Sequence, residues 1–403
     1  METVDASGTA LSAESELRAA PPHALVTTAR RILTDRAGAT EVTLLLADYS
    51  LSVLQPVGHL PETSAPLPAH EGPAGTAFTT QRPLVEVADD QATELAYLPI
   101  TVRGDRLGIL RVRLPAGAAS AATVLSLADF ATALGHEVST ADRDTDLYLR
   151  ARRTRRLTLA AEMQWQLLPG RGCARAEYVI GAHLEPAYAV GGDNFDWSTS
   201  ADHLTLTVTD GMGQGIDASL LTSLTVGALR NARRAGISLA DQACLADQAL
   251  FAQYGGKAYS STLLLQFDLT TGRVQAVDAG SPQLYRLCGT TIEQITLDAQ
   301  LPLGMFEETP YEEQTFHVEP GDRLIAVSTG VHSTRSAAGD LFGERVLRQV
   351  LGATRQASPH EAAHALVAGL IEHFGSNSLA ADAAVVCLDW RGRAPGQPAR
   401  ANS

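Results

Sequence analysis

The sequence predicts an α+β protein made of two folded parts joined by a helical stretch. Three observations carry this reading. The chain is 403 residues long, more than one hydrophobic core usually organises and comfortable for two. Strand-like runs come in groups without regular alternation with helices, which favours antiparallel sheets with helices packed on them. Between the groups, residues 121–168 read as helical with few breakers.

The elements follow in order. Residues 1–20 are small and polar and are expected to be disordered. A mixed α/β segment, 21–118, opens with a helix at Ala24–Thr34. Strands follow at Val42–Ala47, Leu51–Val57, Leu84–Val87, Leu95–Val102 and Arg106–Leu114. Gly104 supplies the tight turn between the last two. Residues 119–170 form a helical connector, read as continuous over 121–168. Leu157, Ala160, Ala161, Gln164 and Leu168 share one helix face, and Pro169-Gly170 ends it. Its crowd of arginines, Arg150, Arg152, Arg153, Arg155 and Arg156, reads as a solvated face. Its apolar face would be exposed on one chain, which predicts a homodimer.

Residues 171–390 form the second folded part. Leu204, Leu206 and Val208 alternate strictly with threonines, and Asp210 falls on their face at the strand end. Leu221, Leu224 and Ala228 give the next segment a helical stripe, and a second helix covers Leu239–Tyr254. Strands follow at Ser260–Leu269, Arg273–Asp278, Leu284–Cys288, Ile292–Leu297, Tyr311–Val318 and Arg323–Ser328. Helices at Glu344–Thr354 and His360–Phe374 precede a last strand, Ala383–Trp390. The tail, 391–403, reads as loose.

Composition excludes several classes. Hydrophobic residues make up 45% and charged residues 19%, an ordinary globular balance. A net charge of −14 argues against a nucleic-acid binder, which needs a basic surface. Carboxylates do suit divalent cations. No apolar run reaches the roughly 20 residues that span a bilayer. No basic segment followed by an apolar one opens the chain, so a cytoplasmic location is expected. Cys173, Cys244, Cys288 and Cys387 are scattered without a CxxC pair and are expected as buried free thiols.

Two segments carry candidate chemistry: Gly191-Gly192-Asp193-Asn194-Phe195-Asp196 and Asp210-Gly211-Met212-Gly213-Gln214-Gly215. Each sets an Asp beside glycines near a strand end. Small hard cations take oxygen ligands, and two such ions share a bridging carboxylate. Glycine lets the backbone approach, so a peptide carbonyl can join the ligand set. Asp210, the Gly211 carbonyl and Asp193 fit these roles. Taken singly, each motif reads equally as a turn. A glycine-rich phosphate cradle is a third reading of Asp210–Gly215, although no Lys-Ser/Thr follows it.

In this order the motifs resemble the metal-dependent PPM-type protein phosphatases of the SpoIIE/RsbU-like branch. The resemblance spans roughly residues 157–390. It includes Ala161–Pro169, Asp278-Ala279-Gly280-Ser281-Pro282 and Leu301-Pro302-Leu303-Gly304 beside the two motifs. It implies a four-layer α-β-β-α sandwich, 171–390, that hydrolyses phosphoserine or phosphothreonine with two Mn²⁺ or Mg²⁺ ions. Catalysis would rest on Asp193 and Asp210. Asp210 would bridge the metals, Gly211 would give its carbonyl, Asp193 would complete part of the inner shell, and Asp196 would support it. It also implies an anti-anti-sigma-type phosphoprotein partner in partner-switching control of a sigma factor.

The chain departs from that pattern at two places. Thr329, in Ser328-Thr329-Gly330-Val331, and Ala381, before Asp382, stand where metal-binding aspartates are expected. Asp382 and His332 are the candidate replacements. Two readings follow: a phosphatase with an incomplete metal site, or a non-catalytic pseudophosphatase that binds a phosphoprotein or scaffolds signalling. Residues 21–118 resemble a GAF-type sensor domain through Gly72–Phe78, Arg82-Pro83-Leu84-Val85, Leu98-Pro99-Ile100 and Arg106–Leu110. That implies an unidentified small ligand or a dimerisation role.

Overall fold

The computed structural model describes residues 6–58, 65–153, 158–187, 190–280, 282–343, 345–375 and 379–393. The chain divides into two compact units, Met1–Arg156 and Leu157–Ser403.

In the first unit, helices α1 (Ala6–Ala19) and α2 (Leu25–Ala37) precede strands β1 (Glu41–Ala47), β2 (Val53–Pro56) and β3 (Leu67–Pro68). Helix α3 (Gly72–Thr80), strands β4 (Leu84–Val87), β5 (Thr93–Val102) and β6 (Asp105–Pro115), and helices α4 (Ala121–Ala141) and α5 (Leu147–Ala151) follow. The strands form one antiparallel sheet in the order β3-β2-β1-β6-β5-β4. Its two faces explain the unbroken apolar run of β1. Leu44 and Leu46 pack with Leu17, Ile32 and Leu134 on one side, while Leu45 and Ala47 pack with Ala77 and Phe78 on the other. The β5–β6 turn places Arg103 at φ 52° and Gly104 at φ 96°, the left-handed pair that suits a tight hairpin.

Three expectations are corrected here. The N-terminal stretch is not wholly disordered, because α1 is formed and Leu17 is fully buried in the core. The connector is not one continuous helix: α4 stops at Ala141 and a turn separates it from α5. Leu127, Phe130, Leu134 and Val138 of α4, with Tyr148 of α5, lie in the first unit's own core. The Tyr148 hydroxyl donates to Pro22 O at 2.6 Å. The apolar face that argued for a homodimer is thus covered within one chain. Arg155, Arg156 and Leu157 lie outside the described residues.

The second unit opens with α6 (Leu159–Leu167), β7 (Gly172–Ala174), β8 (Tyr178–Glu185), β9 (Gly192–Thr199) and β10 (His203–Gly211). Helices α7 (Gly215–Arg234) and α8 (Leu239–Tyr254) precede β11 (Ser260–Asp268), β12 (Arg273–Ala279), β13 (Gln283–Cys288), β14 (Thr291–Ile295), β15 (Gln314–His317) and β16 (Arg323–Val327). The short α9 (Thr329–His332), then α10 (Val346–Ala353), α11 (Pro359–Phe374) and β17 (Ala383–Trp390) complete it. Two antiparallel sheets result, β15-β12-β11-β10-β9 and β14-β13-β16-β17-β8-β7. They face one another, with Phe267 of β11 stacked on Trp390 of β17 at 5.9 Å between ring centroids. Helices α7 and α8 pack Leu221, Leu229, Ala243 and Leu250 against Leu264 and Val277 of one sheet. Helix α11 packs Leu366 and Leu370 against Ile325, Val327 and Val385 of the other. The unit is the α-β-β-α sandwich that the resemblance implied, and the fold class is α+β.

Details differ from the sequence reading. The buried face of α7 runs through Ala218, Leu221, Thr222, Thr225, Val226 and Leu229, so the stripe is centred beside Leu224 and Ala228. Threonines share it because their hydroxyls find backbone partners. The expected strand at Tyr311–Val318 shrinks to β15, since Tyr311 is buried and its hydroxyl reaches Asp247 Oδ1 at 3.2 Å. All four cysteines are free, but only Cys387 is buried, while Cys288 is exposed. The start of the tail is tied down: Arg391 N and Gly392 N both donate to Glu177 O. Residues 394–403 lie outside the described part. Among the described residues no helix is long and apolar enough to cross a membrane.

Candidate functional site: an acidic cleft at the strand ends

Strands β9 and β10 are antiparallel neighbours whose register sets Asp210 opposite Asp193 and Gly211 opposite Gly192. Paired residues point to one face, so the two carboxylates stand side by side at the strand ends. The pairing is close because both partners lack Cβ: a Cβ on Gly192 would lie 2.3 Å from Gly211 O. Helix α7 fixes the spot from behind, where Thr222 Oγ1 donates to Gly192 O at 2.8 Å.

The ends of β16 and β17 form the opposite wall. A cleft of about 210 Å³ is lined by Asp193, Asp210, Gly211, Thr329, Ala381 and Asp382, among others. Here Gly330 is required by crowding, since a Cβ would sit 1.8 Å from Asp382 O. The fold thus brings together five residues that lie up to 189 positions apart in the chain: Asp193, Asp210, Thr329, Ala381 and Asp382.

Their chemistry is uneven. Asp193 is 3% exposed, and its Oδ2 is buried with no hydrogen-bond partner. Burial, then the neighbouring Asp210 and Asp382 charges, push its carboxyl well above the usual range, against the pull of the Ser328 hydroxyl. Asp382 is 2% exposed, and its oxygens are engaged. Oδ1 accepts from Ala187 N and Gly191 N, each at 2.8 Å, and Oδ2 accepts from Gln164 Nε2 at 2.5 Å. Burial raises its carboxyl while these donors oppose the rise. The carboxylate therefore holds the loop that delivers Asp193. His332 is not in the cleft lining. It is half-buried, and burial lowers its imidazole below 6.5 against the pull of Asp210, so at neutral pH it adds no positive charge beside the acidic pair.

Asp196, expected in support, has a different task. Three residues from Asp193 on one strand, it faces the other side of the sheet. There it binds Arg230 Nη2 at 2.7 Å, Arg230 Nε at 3.2 Å and Arg233 Nη1 at 2.9 Å. Arg230 Nη2 also reaches Leu167 O at 2.6 Å. This cluster clamps α7 and the end of α6 to β9.

Gln164 is the site residue that the sequence reading did not single out. Its side-chain amide donates to Asp193 O at 2.8 Å as well as to Asp382. The available signal was a glutamine on the apolar stripe of α6 beside Ala160 and Ala161.

Asp193 with its unpartnered oxygen, Asp210 and the Gly211 carbonyl suit one small hard cation. A second ion does not fit. Thr329 offers a neutral hydroxyl, Ala381 offers nothing, and Asp382 is occupied by its donors. Among the described residues no three His, Cys, Asp or Glu side chains are grouped to hold a metal ion.

A family model described as stage II sporulation protein E (SpoIIE) matches residues 200–391. Protein IcfG of Synechocystis is 21% identical over 205 residues, covering 44% of this chain and 32% of that protein. Phosphoserine phosphatase RsbU of Bacillus subtilis is 22% identical over 186 residues, covering 46% of this chain and 56% of that protein. The chain thus spans about a third to just over half the length of these curated relatives. A solved structure of the PP2C phosphatase domain and part of the regulatory domain of SpoIIE from Bacillus subtilis is 20% identical. It covers 54% of this chain and 65% of that one, with a TM-score of 0.47.

Proposed function

We propose, from the match of residues 200–391 to the SpoIIE family model, that this chain is a phosphoprotein-binding regulator whose hydrolytic activity is lost or strongly reduced. The reading rests on one observation: Thr329 and Ala381 line the cleft opposite Asp193 and Asp210, while the one further carboxylate there, Asp382, is spent on backbone donors. Two adjacent dications repel strongly, and carboxylates around them must offset that repulsion. Two carboxylates cannot do so for two ions. A single Mn²⁺ or Mg²⁺ on Asp193, Asp210 and the Gly211 carbonyl would supply a positive anchor for a phosphoryl group.

RsbU is a phosphoserine phosphatase, which supports a phosphoserine protein as the ligand; the family resemblance adds an anti-anti-sigma-type partner and partner-switching control of a sigma factor as the setting. The first unit would act as a GAF-like sensor of a small ligand in a cytoplasmic protein. A homodimer would need a surface other than α4.

The test pairs calorimetry with turnover. Mn²⁺ is titrated into the full chain, and a phosphoserine anti-anti-sigma protein is then offered with Mn²⁺. Binding of the phosphoprotein without release of phosphate is the expected result. Turnover at a rate ordinary for enzymes, roughly 1–10³ s⁻¹, would favour the second reading, an active phosphatase with unconventional ligands.

A further inference from the structure

We propose that the second unit carries a binding site for a phosphate-bearing small molecule of nucleotide size, at the end of the sandwich away from the acidic cleft. A cavity of about 750 Å³ opens there, lined by the β13–β14 hairpin, the start of β16, the α10–α11 loop and the end of β17. That volume lies in the ordinary range for small-ligand sites, about 300–1,000 Å³.

The floor is rigid. Arg323 and Asp389 are cross-strand partners, and Arg323 is 6% exposed. Its Nε and Nη2 bind Asp389 at 2.5 and 2.9 Å, its Nη1 donates to Thr354 O at 3.0 Å, and its Nη2 donates to Ala357 O at 2.7 Å. The guanidinium thereby neutralises Asp389 and pins the loop between α10 and α11 to the end of β17. That loop carries Arg355, and the residue after β17 is Arg391, whose backbone is fixed to Glu177 O.

Both Arg355 and Arg391 line the cavity, and among the described residues neither side chain has a hydrogen-bond or ion-pair partner. Asp322, the other carboxylate in the lining, is answered by Glu319 N at 3.0 Å and Arg286 Nη1 at 4.0 Å. Two free guanidinium forks therefore remain on separate, pinned mounts, in a chain whose net charge is −14. Guanidinium forks match the paired oxygens of phosphate groups, and Leu287 in the same lining gives the uncharged body of a ligand an apolar wall. Asp389 lies seven residues along β17 from Asp382, roughly 23 Å at the usual rise per strand residue. A ligand in this cavity is therefore separate from the acidic cleft.

The experiment titrates pyrophosphate and ATP into the full chain by calorimetry, in EDTA so that no metal bridges ATP to the acidic cleft, at fixed ionic strength. Saturable binding of ATP is expected, weakened at least tenfold in Arg355→Ala/Arg391→Ala and unchanged in Asp193→Asn. Arg355 and Arg391 are exposed, so circular dichroism of the double variant should match the unmodified protein. Absence of saturable binding by both probes overturns the proposal. So does binding that the double variant retains, or binding of a phosphoserine peptide where ATP and pyrophosphate fail.

Discussion

Replacing Asp382 distinguishes a loop-holding carboxylate from a metal ligand. In Asp382→Ala, three donors lose their acceptor: the buried Ala187 N and Gln164 amide and the partly buried Gly191 N. A buried donor left unpaired costs about 1–3 kcal/mol. Part of the sum is returned, because the buried carboxylate was itself held above its ordinary pKa and its removal relieves that penalty. A net loss of about 3–5 kcal/mol results, in line with breaking other buried charged networks. Asp382→Asn keeps one acceptor for the two backbone amides and should lose only about 1–2 kcal/mol, roughly the value of one hydrogen bond to a charged group. The assay is urea unfolding of the full chain in EDTA, following the transition of the second unit through tryptophan fluorescence; all three tryptophans, Trp165, Trp197 and Trp390, lie in that unit. A midpoint unchanged in Asp382→Ala, together with lost Mn²⁺ binding, would refute the loop-holding role and make Asp382 a ligand.

Three further outcomes are expected. Thr329→Asp with Ala381→Asp adds two carboxylates to the cleft wall and should tighten Mn²⁺ binding and raise phosphatase turnover by orders of magnitude; calorimetry and phosphate release check both, and unchanged Mn²⁺ affinity would count against the incomplete-site reading. Asp193 holds its proton more tightly folded than unfolded, so the folded state binds more protons from pH 3.8 up to its raised value, and stability falls as pH rises through that window. In EDTA, Asp193→Asn should therefore flatten the decline and be the more stable protein at pH 7; urea midpoints across pH read this, and parallel profiles would contradict it. Arg230→Ala leaves Asp196, 4% exposed at its side chain, with Arg233 alone, and should destabilise the second unit by about 2–4 kcal/mol, somewhat below the cost of a fully broken buried pair; a midpoint within error of the unmodified protein would remove the clamp from the account.

Much of the fold was legible because periodicity and turn residues are local. The α8 and β17 bounds match the sequence reading residue for residue, as do those of β4. In α8 and β17 a strong apolar pattern ends at a marked boundary, such as Gly255 at φ 58° after α8. Errors arose where burial was supplied from a distance. Helix α1 seemed too polar to fold until Leu17 found a core. The connector seemed to expose an apolar face that α4 in fact turns into its own unit. Tyr311 looked like a strand residue and instead sends its hydroxyl to Asp247.

The site divides in the same way. The sequence by itself determined which residue types could meet a cation, Asp193, Asp210 and the glycines beside them, because composition and strand alternation are written in consecutive residues. It also determined that Thr329 and Ala381 bring no charge. Only the tertiary structure decided what each carboxylate does. Asp193 and Asp382 look alike in sequence. One keeps an unpartnered oxygen beside Asp210, whereas the other is spent on donors from α6 and from the loop before β9. Asp196 is turned by one strand alternation away from the cleft and into two arginines. Hydrogen-bond partners 30 to 218 residues away set these roles, and such partners exist only after the chain has closed on itself.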